Sequence, residues 1–135
     1  MTMIETMRSS VQTWECDMNS HMNVQFYVAH AARSLAVVAN QLGMAPAFLR
    51  ENKQGLVAQE QHIRFHREQH AGDPIEMHSG ILACDANELF IYQEIRNILN
   101  QAVVATFKSR CAFMDLSTRT VLALPESVRQ QAINL

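Results

Sequence analysis

Residues 24–42 read VQFYVAHAARSLAVVANQL, and the fold turns on what this run forms and what can pack against it. Placed at about 100° per residue, it divides into two unequal faces. Tyr27, Val38, Ala31, Val24, Leu42, Leu35, Val28, Ala39 and Ala32 make one uninterrupted apolar arc. Gln25, Asn40, Arg33, His30, Gln41 and Ser34 lie opposite, diluted by Phe26, Ala29, Ala36 and Val37. The pattern predicts a mostly buried helix whose alanines let a sheet approach closely. Asn23 offers a side-chain oxygen to the exposed N–H groups of the first turn. Gly43 supplies a stop, with Pro46 shortly beyond.

Outward from the helix the pattern becomes extended. Upstream, VQTWEC (11–16) reads as a short strand. Downstream, after the polar stretch ENKQG, residues 56–66, 74–84, 89–97 and 102–115 are rich in Ile, Val, Phe and Tyr and read as four strands. Turn-forming residues separate them at 71–74, 85–88 and 99–101. Separators this short favour antiparallel neighbours, because parallel pairing needs a long crossover. The expectation is an α+β fold: a strand, one long helix, then a four-stranded antiparallel meander wrapped on that helix. One sheet covering one helix leaves its second face open, and a homodimer or homotetramer would bury what is apolar there.

With 135 residues, 48% hydrophobic and 18% charged, the chain suits one folded domain over residues 1–135. A net charge of −2 supplies no broad basic footprint for nucleic acid. Cys16, Cys84 and Cys111 are odd in number and form no CxxC pair, which points to free thiols in a reducing, cytoplasmic setting. The start, MTMIETMRSS, lacks the apolar core of a signal peptide, and no run is long enough to span a membrane.

Immediately before the helix stands a polar knot, ECDMNSHMNVQFY (15–27). The run Asp17-Met18-Asn19-Ser20-His21-Met22-Asn23 followed by Tyr27 resembles the D-x-x-G-H-x-N-x-x-x-Y motif of hotdog-fold acyl-CoA thioesterases, in the 4-hydroxybenzoyl-CoA thioesterase branch. Ala71-Gly72-Asp73-Pro74 is similar to that family's G-D turn. Met114-Asp115, Thr118-Arg119 and Leu124-Pro125 are similar to its C-terminal ending. The resemblance spans about residues 11–128 and departs at Ser20, where the motif usually carries Gly. A position that needs positive φ would strain Ser.

The resemblance implies a hotdog fold, with an antiparallel sheet wrapped around a central helix, and hydrolysis of an acyl-CoA or acyl-carrier-protein thioester. Such chemistry needs an activated oxygen and stabilisation of charge developing on the carbonyl oxygen. A helix N-terminus offers the latter through its unsatisfied N–H groups and macrodipole. By this resemblance Asp17 attacks the thioester or activates water, while backbone N–H near Val24 polarises the carbonyl. His21 can orient Asp17, contact substrate or brace the loop. Asn23 caps the helix and so shapes the oxyanion site, and Tyr27 packs in the core or walls the acyl pocket. No cofactor is implied beyond coenzyme A as part of the substrate.

Other residues are candidates for substrate contact. Gln59 and Glu60 lie on the strand after the helix, where side chains alternate between faces, so Glu60 shares a side with His62 and Gln59 takes the other. One set can complete a site across a dimer. Arg64, Arg67, Lys108 and Arg110 are the candidate contacts for coenzyme A phosphates, with Lys108 and Arg110 on one strand face. His62, His66 and His70 have metal-like spacing only on a helix, so no metal is expected. A hotdog hydratase or dehydratase is one rival, disfavoured because no Pro interrupts 17–23. A non-catalytic acyl-CoA-binding module is the other.

Overall fold

Helix α1 (Val24–Gln41) starts and stops as its flanking residues predict. Asn23 Oδ1 accepts from the Gln25 N–H at 3.0 Å. At the far end Gly43 takes a φ of +92°, its N–H bonds the Asn40 carbonyl and the Met44 N–H bonds the Ala39 carbonyl. This left-handed closure satisfies carbonyls that the helix leaves free, and it suits a residue without Cβ. Met44, fully buried, follows the reversal into the core.

The computed structural model describes residues 1–134. Strand β1 (Ile4–Ser10) precedes α1; helix α2 (Pro46–Asn52) and strands β2 (Gln54–Phe65), β3 (Pro74–Cys84), β4 (Glu88–Asn97), β5 (Val103–Asp115) and β6 (Thr120–Val121) follow it, and helix α3 (Glu126–Asn134) closes the chain. The strands form one sheet in the order β1–β3–β4–β5–β2, every pair antiparallel, with β6 on the end of β5. It curls around α1 as the hotdog arrangement requires. Val38, Leu42, Leu89, Ile91 and Phe113 pack with Val128 of α3 in one core cluster; Val11, Met22, Tyr27, Ala31, Ile75 and Phe107 form the other, beneath the start of α1. Gln93 is fully buried, and its Nε2 lies 3.2 Å from both the Ala31 carbonyl and Ser79 Oγ, bonding helix to sheet. Among the described residues no helix is long and apolar enough to cross a membrane.

The structure departs from the sequence expectations in five places. Residues 11–16 are not a strand: β1 lies earlier, and Thr13–Glu15 form a single 3-10 turn closed by Glu15 Oε1 accepting from the Gln12 N–H at 2.8 Å. Residues 46–52 form a helix, for which Pro46 in the first turn was the available signal. The meander is also incomplete. β3, β4 and β5 are neighbours, but β2 pairs with β5 at the far edge. Its link to β3 covers residues 66–73 and can reach about 25 Å, enough to pass three strand spacings of about 4.8 Å each. The buried face of α1 is rotated toward the polar side, so His30 and Ser34 are buried while Val24 and Ala32 of the apolar arc are exposed. Finally, the outer sheet face is not apolar. Arg8 pairs with Glu76, Arg96 with Glu94, and Arg110 with Glu60 and Glu88.

Phe107 has no exposed surface and packs in the cluster beneath the site. Phe107→Ala is expected to cost about 3–5 kcal/mol through lost burial and the cavity left behind, measured as a fall in the urea unfolding midpoint at constant slope.

Candidate active site

The polar knot folds as a tight loop whose base is closed by an antiparallel bridge between Cys16 and Met22. Within it the Ser20 N–H donates to the Asp17 carbonyl at 2.9 Å and the Asp17 N–H donates to the His21 carbonyl at 3.2 Å. Ser20 takes a φ of +65° to make this reversal, the left-handed conformation that the missing glycine would adopt without strain.

The loop presents the Asp17 carboxylate to two donors. Asn23 Nδ2 donates to Oδ2 and the Asn19 N–H to Oδ1, each at 2.8 Å. The Asn23 bond, then the Asn19 bond, holds the Asp17 pKa below the ordinary aspartate value, because both stabilise the ionised form. Asn23 therefore acts twice, as helix cap through Oδ1 and as carboxylate donor through Nδ2. The next N–H along, that of Val24, meets no acceptor among the described residues.

A cavity of about 960 Å³ opens beside this helix end. His21, Met22, Val24 and Tyr27 line one side; the 66–70 segment and Asn97, Leu99 and Asn100 line the other. Tyr27 is buried in the core and also lines the cavity. Its ring meets Phe65 edge to face at 5.2 Å. Burial, with Glu68 and Cys16 nearby, pushes its phenol up to about 12, so it stays protonated. His21 Nε2 lies 3.6 Å from Glu68 Oε1. Gln69 ties the two walls together: its carbonyl accepts from the Met22 N–H at 2.8 Å and its Oε1 accepts from Asn97 Nδ2 at 2.9 Å.

Asp17, His21, Asn23, Val24 and Tyr27 thus gather at the loop and the helix end; His21, Val24 and Tyr27 line the cavity, whereas Asp17 and Asn23 are not among its lining residues. Of the remaining candidates for substrate contact only Arg67 joins them at the cavity. Gln59, Glu60, Lys108 and Arg110 meet where β2 pairs with β5, away from the cavity. The expected opposition of Gln59 and Glu60 fails because a bulge between Ala58 and Glu60 breaks the alternation. Both residues bond Arg110, at 3.1 and 3.2 Å, and Glu88 bonds it as well. Glu88 first and then Glu60 raise the Arg110 pKa, and with Gln59 they occupy the guanidinium that was the candidate phosphate contact. Arg64 is exposed on β2 outside the cavity, whereas Arg67 lines it. His66 and His70 line the cavity while His62 sits on the other side of β2, so the three do not converge.

Two residues escaped the sequence reading. Glu15 and His30, each about 2% exposed, meet beneath the loop, with Glu15 Oε2 3.2 Å from His30 Nε2. In the sequence His30 reads on the polar half of the helix and Glu15 only as part of a short strand. The only signal was the position of His30, one turn after Tyr27 on a largely apolar helix.

Comparison with known proteins bears on the chain as a whole. The model of the thioesterase-like superfamily matches residues 11–132. No curated protein sequence matches. Among solved structures, a Staphylococcus aureus protein in complex with CoA is 18% identical, with a TM-score of 0.88 over 99% of this chain and 85% of that one. A 1,4-dihydroxy-2-naphthoyl-CoA thioesterase from Synechocystis is 13% identical, with a TM-score of 0.84 over 99% of this chain and 98% of that one. A gentisyl-coenzyme A thioesterase is 15% identical, with a TM-score of 0.83 over 96% of this chain and 98% of that one. At these identities the structures share the fold.

Ser20→Gly should raise stability by up to about 1.5 kcal/mol. Relief of the left-handed penalty, about 1–2 kcal/mol, exceeds the extra backbone entropy of Gly, about 0.5–1 kcal/mol. A urea midpoint that fell instead would show that Ser20 contributes something beyond backbone shape.

Proposed function

This chain belongs to the thioesterase-like superfamily, and on that premise we propose that it hydrolyses an acyl-CoA or acyl-carrier-protein thioester to a free acid and a thiol. The observation that carries the proposal is the joint held by Asn23. One amide links the Asp17 carboxylate to the N-terminus of α1, and the unengaged Val24 N–H lies next to it. The Val24 N–H and the helix dipole stabilise charge developing on the carbonyl oxygen, and the adjoining cavity receives the acyl group. Relatives in fold solved with CoA, or named for CoA thioesters, support coenzyme A as the thiol.

Asp17 reacts as an anion. Two donors hold it ionised and make it a poor proton acceptor, which favours direct attack over activation of water. A carboxylate oxygen forms the new bond to the thioester carbon and the C–S bond breaks. The thiolate leaves and takes a proton from solvent, and water then hydrolyses the mixed anhydride to acid and free Asp17. His21, on the cavity wall, contacts the substrate. Residues 1–135 act as a single domain in a homodimer or homotetramer, for which the exposed edge strand β2 offers an unpaired ladder.

Thiol release from short, long and aromatic acyl-CoAs tests this. Asp17→Asn, which keeps an oxygen for Asn23 to bond, is expected to lower kcat by roughly 10²- to 10⁴-fold; release that survived unchanged would remove Asp17 from the chemistry. Hydration of crotonyl-CoA without thiol release would turn the assignment to a hydratase.

The pH profile follows from the direction of the Asp17 shift. The carboxylate must be ionised, and its pKa is lowered. Activity should therefore hold through the ordinary carboxylate range and decline only below about pH 4, checked by kcat/KM in buffers that leave the fold intact.

A further inference from the structure

We infer that Glu15 and His30 are positioning residues for Asp17, fixing the loop that carries it against α1; the catalytic consequence rests on the thioesterase reading above. Neither side chain lines the cavity, so neither is offered as a participant in bond making.

Burial of a carboxylate is costly unless its oxygens find partners. Glu15 is 2% exposed, and both oxygens are used. Oε1 accepts from the Gln12 N–H at 2.8 Å, and Oε2 faces His30 Nε2 at 3.2 Å. His30 is tied from its other side by Arg33, whose Nη2 lies 2.7 Å from Nδ1. A guanidinium only donates, so Nδ1 must accept and the ring proton resides on Nε2, directed at Glu15. The ring is therefore neutral. Burial lowers its pKa and outweighs the pull of Glu15, with the Arg33 charge adding to the lowering. Nε2 is not aligned for a full hydrogen bond and has no other partner, so Glu15 is the group that compensates it.

The same residue fastens the helix end. The Glu15 carbonyl accepts from the Asn23 N–H at 2.9 Å, and Asn23 Nδ2 holds Asp17 at 2.8 Å. His30, Glu15, Asn23 and Asp17 thus form one continuous chain of contacts from the second turn of α1 to the carboxylate. A buried polar pair of this kind is often replaceable by apolar side chains without loss of stability. What apolar replacements could not supply is the orientation of the 3-10 turn, and with it the Asn23 amide.

The test compares Glu15→Ala and Glu15→Gln with wild type, measuring kcat and KM per folded molecule and the Asp17 carboxyl titration by carbon-13 NMR. Glu15→Ala is expected to lower kcat roughly 10- to 100-fold with KM nearly unchanged, as a misplacement of about 1 Å does. The Asp17 titration should move up toward the ordinary aspartate value as the Asn23 donor drifts. Glu15→Gln keeps an acceptor for Gln12 and should recover part of both effects; it also carries the test if Glu15→Ala does not fold. Unchanged kcat and unchanged Asp17 titration in either folded variant would overturn the proposal. So would a loss of folded protein with kcat per folded molecule intact. A shifted Asp17 titration in a protein whose wild type releases no thiol would support the positioning role and overturn the thioesterase reading.

Discussion

The carboxamide of Asn23 joins the loop that carries Asp17 to the start of α1. Its oxygen satisfies a backbone N–H that every helix leaves without a partner, and its nitrogen holds the Asp17 carboxylate. Because both bonds come from one rigid planar group, the carboxylate cannot move far relative to the helix end without breaking one of them. The rest of the site is arranged around this joint. The Cys16–Met22 bridge closes the loop behind it, and Gln69 clamps Met22 from the opposite wall.

The opposite wall exists because β2 runs to the far edge of the sheet. Had β2 and β3 been joined by a tight hairpin, no segment would cross the open end of the curled sheet. Residues 66–73 make that crossing, and residues 66–70 line the cavity. The same placement leaves β2 largely exposed and lets β5 carry strands on both sides. Topology and site are therefore one fact, since the strand order creates the wall.

Much of the architecture was legible in local patterns. Strand β3 was read at 74–84 and forms at Pro74–Cys84; α1 was read from Val24 to about Leu42 with Gly43 as its stop, and it forms over Val24–Gln41 with Gly43 left-handed just beyond. These features depend on neighbours a few residues apart: cap side chains, alternation and turn-forming glycine. The motif loop was legible for a similar reason, since Asn19 and Asn23 both bond Asp17 within seven positions. Residues 11–16 were not, because apolar and aromatic content suggested a strand while the burial of Glu15 required a turn.

By itself, then, the sequence determined the long helix, its caps, the four long strands β2 to β5 and the loop that gathers Asp17 and Asn23 at the helix end. Each of these is set by interactions between residues close in the chain. Tertiary structure alone decided that β2 lies beside β5, that a bulge turns Gln59 and Glu60 together onto Arg110, and that His30 is buried against Glu15. Those outcomes depend on partners far apart in sequence, and whether a polar side chain is solvated or buried depends on what packs over it. The periodicity of α1 could divide its faces, but only the curled sheet could choose which polar residues to cover.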